Sequence, residues 1–453
     1  MNIVIVGLGK VGSNVAKQLS AEGYDITLID SNPNVLEKVI QRYDSIAVTG
    51  NGANLGVLRE AGVANADLLI AVANADEVNL LCCMAARKIN PKIHTIARIR
   101  NPEYYEQVYE MRDAFGLSLT VNPERQAAHK IERLIKFPGF LKRDSFAKDR
   151  VEIVELKIEE DSNLNGIALM DLNNIIKCQV LVCTVLRDGH AIMPDGQFVL
   201  KANDRIFATA PTNELAELLK NLHIITHKIK KVLIVGGGRI SYYLAQNLRK
   251  NKICVQIVEQ NHNRCIELAS LLPDADIIEG DASSHATLQE SGMSDCDAMV
   301  SLTGLDEMNI VISLFATDQQ VPLVITKLGH SDDMAILDRL PIGSIVCPKE
   351  LSCNTIVRYV RAMKNQSGAA VSVHSIASGQ AEAVEFLVDE TAKYCKIPLK
   401  DVKIKKNVLI ACITHNGNVI IPNGDSHFQA GDTVVAVTNS GTVLLQLNDI
   451  FEI

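Results

Sequence analysis

Short runs of apolar residues alternate with amphipathic stretches along both halves of the chain. In the first half the apolar runs are NIVIV, DITLI, SIAVT, DLLIAV, HTIARI and SLTV. In the second half they are KVLIV, CVQIV, DIIEG, DAMVSL, LVITKL and SIVCP. Amphipathic stretches such as residues 77–88 lie between them and are typical of helices. Continuous apolar strands that alternate with helices indicate a parallel sheet covered on both faces. We therefore predict two Rossmann-like, doubly wound α/β sheets.

A helix that begins with proline is predicted after the sixth strand of each series, at residues 122–137 and 347–363. Pro123 and Pro348 suit the first helical turn, where a missing N–H costs no hydrogen bond. Each helix carries an apolar stripe, formed by Ile131, Leu134 and Ile135 in the first and by Ile356, Val357 and Val360 in the second. Two hypotheses stay open for these stripes: a contact between modules or subunits, or packing on the module's own sheet.

A small β-rich α+β subdomain is predicted after each sheet, near residues 150–222 and 380–453. The two subdomains align with each other, so that Gly189, Pro194, Gly196 and Asp204 correspond to Gly417, Pro422, Gly424 and Asp432. Asp-Gly and Asn-Gly between apolar runs predict hairpin turns. KANDRI and QAGDTV predict tight turns that enter a strand. His190 and His415 lie beside the hairpin turns and are expected to be exposed.

The chain therefore reads as four consecutive domains. They are two nucleotide-binding modules with their following helices, residues 1–140 and 229–370, and two small subdomains, residues 150–225 and 378–453. The junctions fall near 140–150, 223–230 and 364–380. A length of 453 residues agrees with three or four domains.

Composition excludes several classes of protein. The net charge of −8 disfavours a nucleic-acid partner. The 11 cysteines form no C-x-x-C pair. We expect Cys82, Cys83, Cys178, Cys183 and Cys412 to act as small apolar residues rather than metal ligands, in a reducing compartment. The first strand begins at once, without a basic region or a cleavage site before it, and no apolar stretch approaches the roughly 18 residues that span a bilayer. We expect a cytoplasmic protein, held at a membrane only by a partner.

The chemistry of the chain is concentrated in two glycine turns. GLGKVG at residues 7–12 precedes Asp30, and GGGRIS at residues 236–241 precedes Glu259, with 23 residues from first glycine to acid in both copies. Each turn follows a strand and opens a helix, which completes the fingerprint of a dinucleotide site. Gly7 permits the tight turn, Gly9 the approach of a pyrophosphate, and Gly12 close packing of helix on strand. Asp30 favours NAD(H) over NADP(H), because its charge repels a 2′-phosphate.

The second copy departs from this pattern. Gly236 and Gly238 are present, but Ser241 replaces the third glycine, so we expect the helix to be displaced from the sheet and the affinity or the ligand to differ. Glu259 is one methylene longer than aspartate but still reaches a ribose. The alternative for both copies is a purely structural turn.

Further candidate contacts occupy matched positions after the strands. The complete candidate set comprises Gly7, Gly9, Lys10, Val11, Gly12, Asp30, Gly50, Asn51, Ala73, Asn74, Glu77 and Arg98 in the first copy, and Gly236, Gly238, Arg239, Ile240, Glu259, Gly280, Asp281, Thr303 and Lys327 in the second. Asp and Asn after the fourth strand either cap the next helix or touch the ligand. Arg98 and Lys327 end the fifth strands, where a cation faces the ligand crevice. Lys10 and Arg239 either remain in solvent or reach the ligand.

The series GLGKVG, LID, TGNGAN, VANADEVN and IARIR, repeated as GGGRIS, VEQN, EGDAS and TGLDEMN, resembles the RCK (KTN) domains that regulate potassium transport. Two such domains, each followed by a β-rich subdomain, are similar to TrkA-type subunits of the Trk/Ktr potassium uptake systems. The resemblance implies a peripheral cytosolic subunit, a homo-oligomer such as a dimer or tetrameric ring, beneath a multi-span potassium transporter. It implies that NAD(H), ATP or ADP binds the modules and that the ring gates the pore. The ligand roles then fall on Gly7, Gly9, Gly12, Asp30, Arg98, Gly236, Gly238, Glu259, Asp281 and Lys327.

Two other functions are weighed against a regulatory one. An NAD-dependent oxidoreductase needs a proton donor facing the nicotinamide, and the small subdomains offer no acid–base cluster. A soluble nucleotide sensor with a partner other than a transporter is the third hypothesis. We predict no catalytic residue and no metal site.

Overall fold

The computed structural model describes residues 1–40, 45–147, 149–222, 228–329, 337, 340–363, 370–439, 444 and 446–452. The predicted junctions at 223–230 and 364–380 lie partly outside these residues. The chain forms two compact units, one of Met1–Ala127 with Cys347–Val360, the other of Ala128–Val346 with Arg361–Ile453.

The first unit contains a six-stranded parallel sheet, the first parallel module. Its strands are β1 (Asn2–Val6), β2 (Asp25–Asp30), β3 (Ile46–Thr49), β4 (Leu68–Ala71), β5 (His94–Arg98) and β6 (Leu119–Val121). They are ordered β3-β2-β1-β4-β5-β6. The helices between and after them are α1 (Lys10–Ala21), α2 (Pro33–Ile40), α3 (Leu55–Glu60), α4 (Asp76–Ile89), α5 (Pro102–Glu110) and α6 (Pro123–Lys136). Every predicted strand and both predicted helices of this module are confirmed.

The second unit contains the second parallel module, with the same strand order. Its strands are β12 (Lys231–Val235), β13 (Cys254–Glu259), β14 (Asp276–Glu279), β15 (Ala298–Ser301), β16 (Leu323–Lys327) and β17 (Ser344–Val346), ordered β14-β13-β12-β15-β16-β17. Its helices are α9 (Arg239–Lys250), α10 (His262–Leu271), α11 (His285–Glu290) and α12 (Asp306–Asp318), and α13 (Pro348–Met363) follows β17. The chain therefore has two Rossmann-like sheets of one topology.

Two antiparallel subdomains, both in the second unit, also share one topology. The first has β7 (Lys142–Phe146), β8 (Val151–Lys157), β9 (Leu181–Arg187), β10 (His190–Ile192) and β11 (Arg205–Pro211), with α7 (Leu172–Ile175) and α8 (Leu215–Asn221). The second has β18 (Ala370–Ile376), β19 (Ala381–Leu387), β20 (Val408–His415), β21 (Asn418–Ile420) and β22 (Thr433–Asn439). Their orders, β10-β9-β11-β8-β7 and β18-β19-β22-β20-β21, are the same arrangement viewed from opposite edges of the sheet.

The predicted hairpin turns join β9 to β10 and β20 to β21. Asp188 and Gly189 both have positive φ, +52° and +80°, as do Asn416 and Gly417, at +46° and +85°. Positive φ at both central positions is the type I′ geometry that Asp-Gly and Asn-Gly favour. This prediction is therefore confirmed in both subdomains.

Helix α13 packs in the first unit, against the module that it does not follow in sequence. The Tyr359 hydroxyl lies 2.8 Å from Nδ1 of His94 on β5, and Sγ of Cys353 donates to Oε1 of Gln18 on α1 over 3.2 Å. Its apolar stripe, Ile356, Val357 and Val360, is buried. For this helix the hypothesis of a contact with the other module is confirmed.

Helix α6 makes the reciprocal exchange. From Ala128 onward it belongs to the second unit, where Nδ1 of His129 lies 3.3 Å from Nδ2 of Asn247. Nδ2 of Asn251 donates to Glu132 over 3.1 Å. Asn247 lies on α9 and Asn251 caps its carboxyl end, so the second module holds the helix of the first. The stripe of Ile131, Leu134 and Ile135 is buried as well.

Four of the five cysteines predicted to act as small apolar residues lie in the hydrophobic cores. Cys82, Cys83, Cys183 and Cys412 are buried, Cys178 is half-buried, and all are free thiols. Burial raises the pKa of the Cys82 thiol to about 12, which keeps it protonated and unreactive. Within the described ranges, no helix combines the length and the apolar character that crossing a bilayer requires.

Candidate functional site

The first glycine turn lies at the carboxyl edge of the first sheet, against the loop after β4. Gly7 has φ +90°, a conformation that favours glycine. Its N–H donates to the carbonyl of Ile29 over 2.8 Å. A β-carbon on Gly7 would lie 2.6 Å from the nitrogen of Ala73. Because the strand order reverses between β1 and β4, the turn borders the crevice in which such sheets bind ligands.

The amino end of α1 faces this crevice. Gly9 has an extended backbone with φ −67°, and a β-carbon there would meet no atom within 4 Å. No side chain caps the helix, and the N–H groups of Lys10, Val11 and Gly12 have no acceptor within a helix of this geometry. Lys10 is exposed and Val11 is buried. A β-carbon on Gly12 would lie 1.9 Å from the Gly7 oxygen, so a side chain here would require the turn to shift. The arrangement suits an anion such as a pyrophosphate.

The Asp30 carboxylate at the end of β2 is anchored by backbone N–H groups. Its Oδ2 accepts from Leu8 over 2.6 Å, and its Oδ1 accepts from Asn32 over 2.9 Å. A carboxylate oxygen has two lone pairs, so capacity remains for the hydroxyls of a ribose.

Arg98 and Asn79 join the ends of β4 and β5. Arg98 is buried, and its Nη2 donates to the carbonyl of Ala73 over 2.8 Å and approaches Oδ1 of Asn74 at 3.5 Å. Asn79 is fully buried; it accepts from the Ala73 N–H and donates to the carbonyls of Ala73 and Arg98, over 2.8, 3.0 and 2.9 Å. Sequence reasoning missed Asn79, although its repetition in ADEVN and LDEMN was a visible signal.

The loop after β4 does not cap α4 in the predicted way. Ala75 is the N-cap and has no side-chain hydrogen bond. The carboxylate of Asp76 instead accepts the N–H groups of Arg100 and Asn101, both over 2.7 Å, in the loop after β5. The capping hypothesis is therefore wrong: the helix already begins at this aspartate, whose side chain holds the neighbouring loop.

The remaining candidate residues of the first copy lie close to the sheet edge, and each already forms a hydrogen bond within the module. The Gly50 N–H donates to the Asp30 carbonyl over 2.9 Å. Oδ1 of Asn51 accepts from Ala53 over 3.0 Å and shapes its own turn. Glu77 is exposed, and its own backbone N–H and the Tyr104 hydroxyl, at 2.8 Å, lower the pKa of its carboxyl group.

The second glycine turn repeats the first with one accommodation. Gly236 has φ +102°, and a β-carbon on it would lie 2.8 Å from the Leu302 oxygen. Gly238 borders open space as Gly9 does. Ser241 is fully buried and its hydroxyl donates to the Gly236 carbonyl. The serine is thus part of the turn. Its hydroxyl is hydrogen-bonded at the contact between helix and sheet, where the sequence had suggested that the side chain would displace the helix.

Glu259 makes the same two bonds as Asp30 but needs more room. Its carboxylate accepts from Gly237 over 2.6 Å and from Asn261 over 2.7 Å. A β-carbon on Gly237 would lie 2.9 Å from Oε2 of Glu259. The first copy has Leu8 at this position, so the longer acid and the glycine compensate for each other. Nε of Arg264, which sequence reasoning missed, donates to the Gly237 carbonyl over 2.7 Å.

The other second-copy candidates follow the first copy closely. Asn309 is fully buried and bridges Thr303 and Lys327: it accepts from the Thr303 N–H over 2.8 Å and donates to the Lys327 carbonyl over 3.0 Å. The Lys327 ammonium donates to the Thr303 carbonyl. The Gly280 N–H donates to the Glu259 carbonyl over 2.9 Å. Exposed Asp281 accepts from Ser283 over 2.8 Å, which lowers the pKa of its carboxyl group. Arg239 is exposed and Ile240 is buried.

Each parallel module thus brings its predicted residues to one edge of one sheet. Most polar side chains there hold backbone groups of neighbouring loops, while the glycine turn and the amino end of the following helix stay open. A cavity of about 810 Å³ lies elsewhere on the first module, lined by residues that include Leu81, Met84 and Arg87 on the outer side of α4. The arrangement can bind a nucleotide through backbone amides.

Comparison with known proteins agrees with this architecture. A model of the TrkA-N domain matches residues 3–123 and 232–348, and a model of the TrkA-C domain matches residues 153–223 and 383–449. The chain is 30% identical over 442 residues to Trk system potassium uptake protein TrkA homolog 1 of Methanosarcina mazei, covering 96% of each chain. It is 30% identical over 441 residues to Trk system potassium uptake protein TrkA of Vibrio alginolyticus, covering 96% of this chain and 95% of the relative.

A solved structure of the GsuK channel bound to NAD has the same fold. The TM-score is 0.61 at 15% identity, over 97% of this chain and 77% of the channel chain. The matched domains and the relatives at 30% identity decide the family. The chain belongs to the Trk system potassium uptake protein TrkA family, with two TrkA-N and two TrkA-C domains in tandem.

Proposed function

We propose that this chain is a nucleotide-binding regulatory subunit of a potassium uptake transporter. The observation that carries the proposal is the pair of open glycine turns, each with an anchored acid one strand away. The names of the relatives support the link to potassium uptake.

The proposed ligands are NAD(H) and the adenine nucleotides ATP and ADP. All contain an adenosine diphosphate, whose phosphates suit the amino ends of α1 and α9 and whose ribose suits Asp30 or Glu259. Asp30 disfavours a 2′-phosphate, so NAD(H) is proposed over NADP(H). The candidate contacts are the two sets of residues given above at the edges of the sheets. Serine at 241, Glu259 and Arg264 make the second site different in shape and charge, so the two sites need not prefer one ligand.

Regulation requires only that a nucleotide binds two conformations of the assembly with different affinity. We propose that the chain forms a homo-oligomeric ring, that a multi-span potassium transporter holds it at the cytoplasmic face of the membrane, and that ligand exchange changes the gate. Turnover is not needed. An oxidoreductase would need an acid–base group at the nicotinamide, whereas the polar groups Asp76, Asn79 and Arg98 are bonded to backbone.

Two single substitutions, Gly9→Val and Gly238→Val, test the two sites separately within the full chain. Both glycines have ordinary negative φ, −67° and −70°, and a β-carbon meets no atom within 4 Å. The β-carbon of a valine therefore meets no atom at either position, and the branched side chain adds bulk at the amino end of the helix. Calorimetry with NADH and with ATP should show that Gly9→Val abolishes one binding event and Gly238→Val the other.

Each variant is the control for the other, because its second site is unchanged. Wild-type stoichiometry in both variants would refute nucleotide binding at the turns. Co-purification with a multi-span membrane protein separates the transport role from a soluble sensor, and steady oxidation of NADH by the pure chain would instead support the enzyme.

A further inference from the structure

The tight turns that enter β11 and β22 each contain a buried aspartate. Asp204 and Asp432 occupy matched positions and are 1% and 3% exposed. The carboxylate of Asp204 accepts the N–H of Lys201 over 2.8 Å, and that of Asp432 accepts the N–H of Gln429 over 2.9 Å. A buried carboxylate needs further donors, and the two subdomains supply them differently.

In the first subdomain a guanidinium completes the site. Nε of Arg187 donates to Oδ1 of Asp204 over 2.8 Å, and Nη2 donates to Oδ2 over 2.7 Å. Nη2 also donates to the carbonyl of Val199 over 2.8 Å. The guanidinium carbon lies 4.5 Å from the centroid of the Phe198 ring. The side chain therefore satisfies two acceptors and fills the space beside the turn.

In the second subdomain the matched residues are smaller. His415 stands where the first subdomain has Arg187, and Ser426 where it has Phe198. Nδ1 of His415 lies 2.8 Å from Oδ1 of Asp432. Among the described residues, Nη2 of Arg187 has no counterpart in this subdomain: no side chain donates a hydrogen bond to Oδ2 of Asp432 or to the carbonyl of His427.

A cavity of about 460 Å³ opens at this place. Its walls include His415, Asp425, Ser426, His427, Gln429 and Asp432. Asp425 is already paired with Lys400 over 2.6 Å. The volume is typical of small-molecule sites. The lining includes His427 and Asp432, which match the two residues that the Arg187 guanidinium joins in the first subdomain.

We propose that this cavity of the second antiparallel subdomain binds a small organic cation of the guanidinium type. The ligand supplies the N–H donors that Arg187 supplies in the first subdomain, to Oδ2 of Asp432 and to the carbonyl of His427. A planar fork of donors meets two acceptors at once, whereas an ammonium group is a point charge. The site is separate from the glycine turns and stands independently of the proposed nucleotide sites.

The test uses the full chain and methylguanidinium chloride, with methylammonium chloride and potassium chloride at equal ionic strength. Calorimetry should show saturable binding of one methylguanidinium per chain and at least about tenfold weaker binding of methylammonium. The double variant His415→Arg with Ser426→Phe rebuilds the first subdomain's arrangement, which this fold already accommodates, and should lose the binding.

The reciprocal variant, Arg187→His with Phe198→Ser, opens the matched place and should raise the stoichiometry to two. Circular dichroism confirms that both variants are folded; if the first is not, Asp432→Asn replaces it. The absence of saturable binding to wild type, or unchanged binding in the variant that fills the cavity, would overturn the proposal.

Discussion

At the scale of single residues, the acid after the second strand is a structural anchor as much as a ligand contact. Asp30 and Glu259 each accept the N–H of the residue that follows the first glycine of the turn, both over 2.6 Å. The additional methylene of glutamate is accommodated because position 237 has no side chain. The acid and the residue whose N–H it accepts therefore differ together between the two copies.

This pairing predicts a measurable coupling. Gly237→Ala places a β-carbon 2.6 Å from Leu268 and 2.9 Å from Glu259, so we expect a loss of roughly 1–3 kcal/mol from overpacking. Glu259→Asp shortens the acidic side chain by one methylene and so relieves the second of these two contacts. The double variant should lose less than the sum of the single variants, as measured by thermal denaturation of all four proteins.

Gly238→Ala is the matched control, since a β-carbon there meets nothing within 4 Å; it should change the midpoint little. Strictly additive losses would show that the two positions do not compensate.

Single residues also show where prediction from sequence reaches its limit. Gly7 and Gly12 were identified because their roles depend on backbone conformation within one strand–turn–helix unit, and Asp30 because it follows that turn at a fixed spacing. Asn79 was missed because its role is to join the ends of two strands; its repetition as Asn309 marks the position in the sequence but not the groups that it bonds.

At the scale of elements, α6 is joined to the first antiparallel subdomain by buried ions. Nζ of Lys130 donates to Oδ1 of Asp144 over 2.7 Å and to the Arg143 carbonyl over 2.9 Å. The Arg143 guanidinium pairs with Glu152 over 2.6 Å. Burial would raise the pKa of the Asp144 carboxyl group, but Lys130 and the other nearby cations hold that pKa well below its usual range. Helix α6 is therefore joined to β7 by the ion pair of Lys130 and Asp144.

We predict that Asp144→Asn costs roughly 3–5 kcal/mol at neutral pH, because it leaves Lys130, whose side chain is only 15% exposed, without its counter-charge. The pKa of Asp144 is lower in the folded than in the unfolded chain, so its contribution is complete above the unfolded value of about 3.9. It is lost as the pH falls further, toward the folded value. Denaturation of both proteins across this range measures the difference.

The paired replacement Lys130→Met with Asp144→Leu is the matched control and should recover much of the stability. Equal losses in the single and the paired variant would contradict the charge argument and leave packing as the cause.

At the scale of the whole molecule, the exchange of α6 and α13 makes each half incomplete alone. The first module holds the stripe of Ile356, Val357 and Val360 from α13. A separate first half, residues 1–222, would expose the surface that this stripe covers. Sites are therefore better isolated by substitution in the full chain than by dividing it.

We predict that residues 1–222 and 228–453, produced together as two polypeptides, co-purify as a stoichiometric complex. The buried apolar stripes of both helices provide the driving force. Val357→Asp, placed in the α13 stripe, should reduce recovery of the complex, whereas Arg358→Asp on the exposed side should not. Two halves that are each folded and do not associate would contradict the exchange.

By itself the sequence determined the six strands of each parallel module, the proline-led helices, the duplication, the glycine turns with their acids, and the hairpins of the small subdomains. These depend on periodicity and on backbone conformations set by nearby residues. Only the tertiary structure decided which module receives each proline-led helix, what Asn79 and Asn309 join, and that His415 lies against Asp432 beside a cavity. Those outcomes depend on contacts between segments far apart in the chain, and a local pattern of polar and apolar residues does not specify the partner.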